Sequence, residues 1–252
     1  MPPSKPNRSD RLPNPKLELP PAYRLVRVRE AKDAFAHACA NAPALGAGAL
    51  VFAGRFGMAE LAVILEPEEP LSAARPAFYA GMTALCDALA AMAPPEKPIA
   101  IQWPDAILID GGLVGGGRLG WPQGAPEDAA PDWLVFGAII RTSYVSLSET
   151  GLYPGATALE EEGFSEAGPE RVVEGFARHF LLAVDRWQEG GLSAISGYYL
   201  QRLRLEKGVH ASLARNGDLV IRKSGKSAGK RELLTALKMP AWLDPATGMP
   251  RL

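Results

Sequence analysis

Two glycine-flanked segments carry the residue types from which a ligand site could be built. Trp103-Pro104-Asp105 is followed, after a short apolar run and the turn Asp110-Gly111-Gly112, by Gly115-Gly116-Gly117-Arg118. A stretch without Cβ atoms lets the backbone come close to a bound molecule, and Arg118 sets a permanent positive charge beside it. The second segment, Gly54-Arg55-Phe56-Gly57, is a tight turn whose guanidinium and backbone N–H groups suit a phosphate or carboxylate. Each has a plain packing reading too. Trp103 would then be a core residue ending a strand, the three glycines a bulge or close strand contact, and Arg55 a surface turn residue.

Other chemistry-bearing residues are placed less suggestively. His37, His179 and His210 have no second His, Cys or paired carboxylate at metal or triad spacing and read as structural. Cys86 sits in an Ala/Leu helix and Cys39 on an Ala-rich one, so both read as inert thiols. The basic run 222–231 contains Gly225-Lys226-Ser227, but a phosphate loop needs a further Gly where Val220 stands, so it reads as a solvated turn. Docking of an acidic carrier by Lys223, Lys226 and Lys230 is the sharper alternative. Glu160, Glu161 and Glu162 read as a solvated surface.

The elements that must position these residues emerge from periodicity and breakers. Alternation over 23–28 predicts a strand, and the Ala-rich stretch 31–42 predicts a helix ending before Pro43. Apolar runs at 49–53 and 61–65 flank the Gly54–Gly57 turn as two strands. A buried helix is expected over 75–92, closed by Pro94-Pro95, then strands at 98–103, 106–110 and 113–121. The strongly apolar 132–141 belongs at the centre of a sheet. Loop is expected over 142–167, then a helix from Pro169 stopped by Gly190-Gly191, a shorter helix over 192–205, and a hairpin over 209–222 turning at Asn216-Gly217.

The chain has 252 residues, 47% hydrophobic and 22% charged, with net charge −1. That balance lacks the excess of Lys and Arg a nucleic-acid surface usually needs. No run approaches the ~18 apolar residues of a membrane span. Two cysteines make no disulfide framework and no apolar leader opens the chain, so a reduced, cytoplasmic setting is expected.

The order strand, helix, Gly-Arg turn, strand, long helix, then IQWPDAILIDGGLVGGGRLGW and DWLVFGAIIR resembles the biotin/lipoate protein ligase family. That family has a Trp-Pro-Asn-Asp-like strand end, a hairpin, a returning Lys-x-x-Gly segment, and a core strand of the form ΦΦΦGΦGΦN, where Φ is apolar. The resemblance spans about Tyr23 to Leu205. It implies an α+β fold: a mixed β-sheet packed by helices, as in the ligases' catalytic domain, plus a small C-terminal β-rich domain. The expected division is an extended lead-in over 1–22, the ligase-like domain over 23–205 and the C-terminal domain over 206–252.

The implied reaction has two steps. A carboxylic acid such as biotin or lipoate attacks ATP, with Mg, to give an acyl-adenylate, and a lysine of a biotinyl or lipoyl carrier domain takes the acyl group. Gly54, Arg55, Gly57, Trp103, Pro104, Asp105, Gly115, Gly116 and Gly117 would bind substrate, with no metal ligands assigned. Counting from Trp103, the family's catalytic lysine falls on Leu113, Asp105 replaces Asn, and Ala106 replaces the acid after it. Between Lys32 and Lys207 the only lysine is Lys97. Arg118 or Lys97 would therefore supply the catalytic charge. Two functions are open: a divergent acyl or biotinyl ligase, or a ligase-like protein that binds a carboxylic-acid ligand or a partner without adenylation. An inward-pointing cation at the site favours the first.

Overall fold

The computed structural model describes residues 16–144, 155–223 and 229–252. Residues 224–228, with the Gly225-Lys226-Ser227 sequence, lie outside that description, as does most of the lead-in. In chain order the elements are β1 (Arg24–Val28), α1 (Ala34–Leu45), β2 (Ala49–Arg55), β3 (Met58–Leu65), α2 (Leu71–Ala74), α3 (Phe78–Ala90), β4 (Ile99–Gln102), β5 (Ala106–Ile109), β6 (Gly112–Gly120) and β7 (Leu134–Arg141). After these come α4 (Pro169–Arg202), β8 (Val209–Leu213), β9 (Leu219–Lys223), β10 (Gly229–Arg231) and α5 (Leu233–Leu237).

Seven strands form one sheet in the order β1-β2-β3-β7-β6-β5-β4. Only β1 and β2 run parallel; the other neighbours are antiparallel, so the sheet is mixed. All eight residues of β7 are buried, as its unbroken apolar run requires of a middle strand. α3 and α4 cover one face. Phe78, Phe136, Phe176 and Phe180 interlock there in stacked and tilted ring pairs. α1 covers part of the other face, over Ala49, Val51, Ala62, Ile64 and Val135.

Local chemistry explains where elements begin and end. Asp33 caps α1, its Oδ1 accepting from the Ala36 N–H at 2.9 Å, and Gly46, at φ 69°, lets the Gly46 N–H close on the Ala42 carbonyl. α1 runs past Pro43 to Leu45, because a proline in the last turn removes one ladder bond and leaves the final two residues free to stay helical. β3 begins at Met58, three residues earlier than its apolar run, since Glu60 is buried and paired. Gly191 breaks α4 into two helical pieces at φ 57°, where the Gly190-Gly191 stop was expected.

A three-stranded sheet, β10-β9-β8, comes after α4. Its Leu219, with Leu233 and Leu237 of α5, joins the main core cluster, and β8 lies against α4. Asn216-Gly217 makes the expected hairpin turn, and Tyr79 of α3 donates its hydroxyl to the Gly217 carbonyl. Leu17 is buried against the same core, and the Glu18 N–H donates to Glu174 of α4. Beyond α5 the last residues have no helix or strand, yet they lie against the sheet face that α1 leaves open.

Candidate ligand face

Strand register sets out the open face as rows. Ala53, Glu60, Ile139, Gly116 and Ala106 are successive cross-strand partners over β2, β3, β7, β6 and β5. One step along lie Arg55, Met58 and Arg141, and one step back lie Ala62, Gly137 and Arg118. Because side chains alternate across a strand, all of these point to the face that carries α1. The sequence thus brings Arg55, Arg118 and Gly116 to one surface.

Arg118 and Arg55 there are each held by an acid. Arg118 donates to Asp33 through two nitrogens, both at 3.0 Å, and its guanidinium lies 4.5 Å from the centre of the Phe35 ring. The Arg55 Nε lies 3.1 Å from Glu60 Oε2. Glu60 is 0% exposed, and its Oε1 accepts the Ala34 N–H at 2.7 Å. The start of α1, where free N–H groups and the helix dipole make an anion seat, is therefore filled by Asp33 and Glu60. Burial raises the Glu60 pKa, against the Ala34 N–H and the Arg55 charge, which lower it.

Asp105 is the other buried acid. It is 1% exposed and neither carboxyl oxygen has a hydrogen-bond partner of good geometry. Desolvation pushes its pKa up to about 7, only partly offset by its own N–H and the nearby Trp242 indole. Its carbonyl accepts the Gly117 N–H at 2.9 Å, which ties it to β6.

The three glycines are spent on protein contacts. A Cβ on Gly115, at φ 152°, would lie 1.9 Å from the Ile139 carbonyl oxygen, beside a register shift between β5 and β6. One on Gly116 would lie 2.1 Å from the Asp105 carbonyl and 2.6 Å from Trp242 Nε1, while Gly117 faces Met82 of α3. Close approach is real, and its partner on the ligand face is Trp242. This ring, 1% exposed, packs with Ala106 and Ile139, with Met58, Leu113 and Leu243 around them, and its N–H donates to the Gly117 carbonyl at 3.3 Å.

The remaining expected site residues lie apart. Trp103 donates to the Tyr79 hydroxyl at 3.2 Å, and the Pro104 carbonyl accepts from Tyr199 at 2.8 Å, so this pair joins β4 to the α3–α4 layer. Lys97 precedes β4 at the other end of that strand and pairs with Asp110 at 3.2 Å and Glu162 at 2.7 Å. Glu162 is thus a partly buried ion-pair partner, which also accepts from Thr157, rather than a solvated charge. Gly54, Arg55 and Gly57 line an open cleft of ≈ 560 Å³ with Thr142 and Ser143. Cys86 is buried, with its thiol pushed up to about 12 by desolvation, and Cys39 rises to about 11 for the same cause.

Residues 19–201 match the family model described as the biotin/lipoate A/B protein ligase family. This chain belongs to that family. Among solved structures it is similar to a biotin protein ligase-like protein of unknown function from Silicibacter sp. TM1040. The two are 26% identical, the match covers 88% of this chain and 99% of that one, and the TM-score is 0.76. The fold is also that of the Aquifex aeolicus biotin protein ligase, alone (15% identity, 82% and 95% covered, TM-score 0.65) and in complex with biotin and ATP (14%, 82% and 94%, 0.63). No curated protein matches the sequence.

Against the family pattern ΦΦΦGΦGΦN, Leu134–Arg141 reads with Gly137 at the first glycine, Ile139 at the second and Arg141 at the Asn. Sequence reasoning passed over both departures, although the pattern itself marks them. Ile139 puts a branched side chain onto the row that Gly116 keeps low. Arg141, 2% exposed, donates to the Pro250 carbonyl at 2.7 Å and to that of Arg251 at 3.3 Å.

Mg is not a good match to these residues. Ala106 offers no oxygen beside Asp105, whose own carboxyl is buried against the Trp242 seat. Among the described residues no three His, Cys, Asp or Glu side chains gather as metal ligands. No helix among them is long and apolar enough to cross a membrane.

Proposed function

We propose that this family member binds a small carboxylic-acid ligand, or a partner presenting one, on the ligase-type sheet without converting it to an adenylate. One observation carries the reading: the protein's own acids hold two positive groups of the face, Arg118 and Arg55, and the start of α1. Asp33 holds Arg118, and Glu60 holds both Arg55 and the first N–H of α1. Acyl activation needs fixed donors that are free to meet charge developing on the reacting carboxylate and phosphate. Here those donors are neutralised, position 113 is Leu, and Lys97 is bound to Asp110 and Glu162. A bound acid can exchange with Asp33 at the Arg118 fork, because carboxylates offer the same bidentate geometry.

A second reading keeps the transferase, passing biotin, lipoate or another acyl group through an acyl-adenylate to a carrier-domain lysine. What favours it, besides the family, is Arg141, a buried guanidinium held by backbone carbonyls that a phosphate could replace. Thermal unfolding with biotin, lipoate and octanoate, each with and without ATP and Mg, separates the two. A ligand at one hundred times its Kd stabilises the native state by about 2.7 kcal/mol, so silent binding is visible. The binding reading expects an acid to raise Tm alone with nothing added by ATP. Stabilisation that appears only with ATP present favours the transferase.

A further inference from the structure

The final segment is built like an occupant. Its backbone bonds close on themselves: the Asp244 N–H donates to the Met249 carbonyl and the Arg251 N–H to that of Trp242, both at 2.8 Å, while Leu243 and Pro250 form a bridge. Asp244 caps the turn through the Ala246 N–H and the Thr247 hydroxyl. Such a loop can move as a unit and keep its backbone partners. It joins α5 through Met239, 80% exposed, and Pro240. Its holds on the sheet include the Trp242 ring over Gly116, the Arg141 grip on two carbonyls, and the Met249 sulfur 3.4 Å from Arg55 Nη1. An open cleft of ≈ 510 Å³ lies between Met58, Arg141 and Met249, so the outer part of the segment, away from Trp242, is not packed like a core.

Beside Trp242 lies a second mark of a ligand seat: the Asp105 carboxyl, buried with neither oxygen in a hydrogen bond of good geometry. A buried acceptor left unmet is costly in a purely structural contact and normal where a ligand supplies the donor. Resting on the proposed binding function, we propose that residues 239–252 are a tethered self-ligand, with Trp242 standing in the seat that a small molecule with a flat apolar body and N–H donors takes once the segment swings out. Its donors would meet the Gly117 carbonyl, as the indole now does, and Asp105. The segment thereby sets apparent affinity, since a seat open only a fraction of the time binds more weakly by that fraction.

The test uses the full chain labelled with 5-fluorotryptophan, the Trp242 signal being assigned with Trp242→Phe among the five tryptophans. Indole, biotin, lipoate and octanoate are the probes. Trp242→Ala is expected to unfold cooperatively and to bind indole, and to bind a probe acid on the order of tenfold tighter than the unsubstituted chain does. In the unsubstituted chain, saturation with that acid is expected to move the Trp242 signal alone to a solvent-exposed position. Binding of indole or biotin, the probes with N–H donors, while the Trp242 signal stays buried overturns the self-ligand and leaves the binding function standing. So does a Trp242→Ala chain that loses cooperative unfolding, or one that refuses indole. If indole enters Trp242→Ala but no acid binds either protein, the seat stands and the carboxylic-acid reading falls.

Discussion

Asp105 concentrates the electrostatic cost of the ligand face in one side chain. Its folded pKa of about 7 lies above the ordinary 3.8, so the native state holds the proton more tightly than the unfolded chain does. Stability from this group is greatest below pH 4 and is lost as pH rises to about 7, by up to about 1.4 kcal/mol per pH unit. Asp105→Asn keeps the shape and removes the titration. Urea unfolding from pH 4 to pH 8 should show the unsubstituted chain losing stability relative to Asp105→Asn; parallel curves would refute this. Glu60 is raised in the same sense, but it is present in both proteins and drops out of the difference. The Arg118–Asp33 fork makes a second prediction. Arg118→Lys keeps the charge but loses the planar two-point match and the Phe35 stacking, and should cost about 1 kcal/mol by denaturant titration. An unchanged midpoint would show that a single charge contact suffices.

At the scale of elements, β6 is where sequence and packing meet most tightly. Gly116→Ala places a methyl group against the Asp105 carbonyl and the Trp242 ring, and should cost about 1–3 kcal/mol, read as a fall in Tm. The same change in a Trp242→Ala background should cost less, because one of the two obstructions has gone; equal costs would mean that the Asp105 carbonyl alone sets the penalty. Most strands and helices are legible in the chain because period and breakers agree: the apolar run of β7, the Gly190-Gly191 stop in α4 and the Asn216-Gly217 hairpin all stand as read. The start of β3 was hidden because Glu60 looks like a surface residue until Arg55 and α1 surround it. The short elements α2, β10 and α5 carry too few residues for a period to register.

For the whole molecule, the ligase scaffold persists while the face proposed to bind ligand is covered by the chain's own last residues. The scaffold was legible because a family pattern spans 183 residues (19 to 201) and is written locally, in Trp-Pro-Asp, the glycine return and the apolar core strand. The cover was not, since it joins Trp242 to Gly116 and Pro250 to Arg141 across more than a hundred positions, and no local period reports such contacts. Leu113 shows how the two readings combine: the sequence marks it as a missing lysine, and the structure places it in the apolar cluster beneath Trp242. The central claim is that this face binds without activating. It is tested most directly by pyrophosphate release from ATP and Mg in the presence of biotin, lipoate or octanoate. No release above the acid-free background is predicted, even where the acid raises Tm. Acid-dependent pyrophosphate, one per protein or with turnover, would contradict it and restore the adenylating ligase.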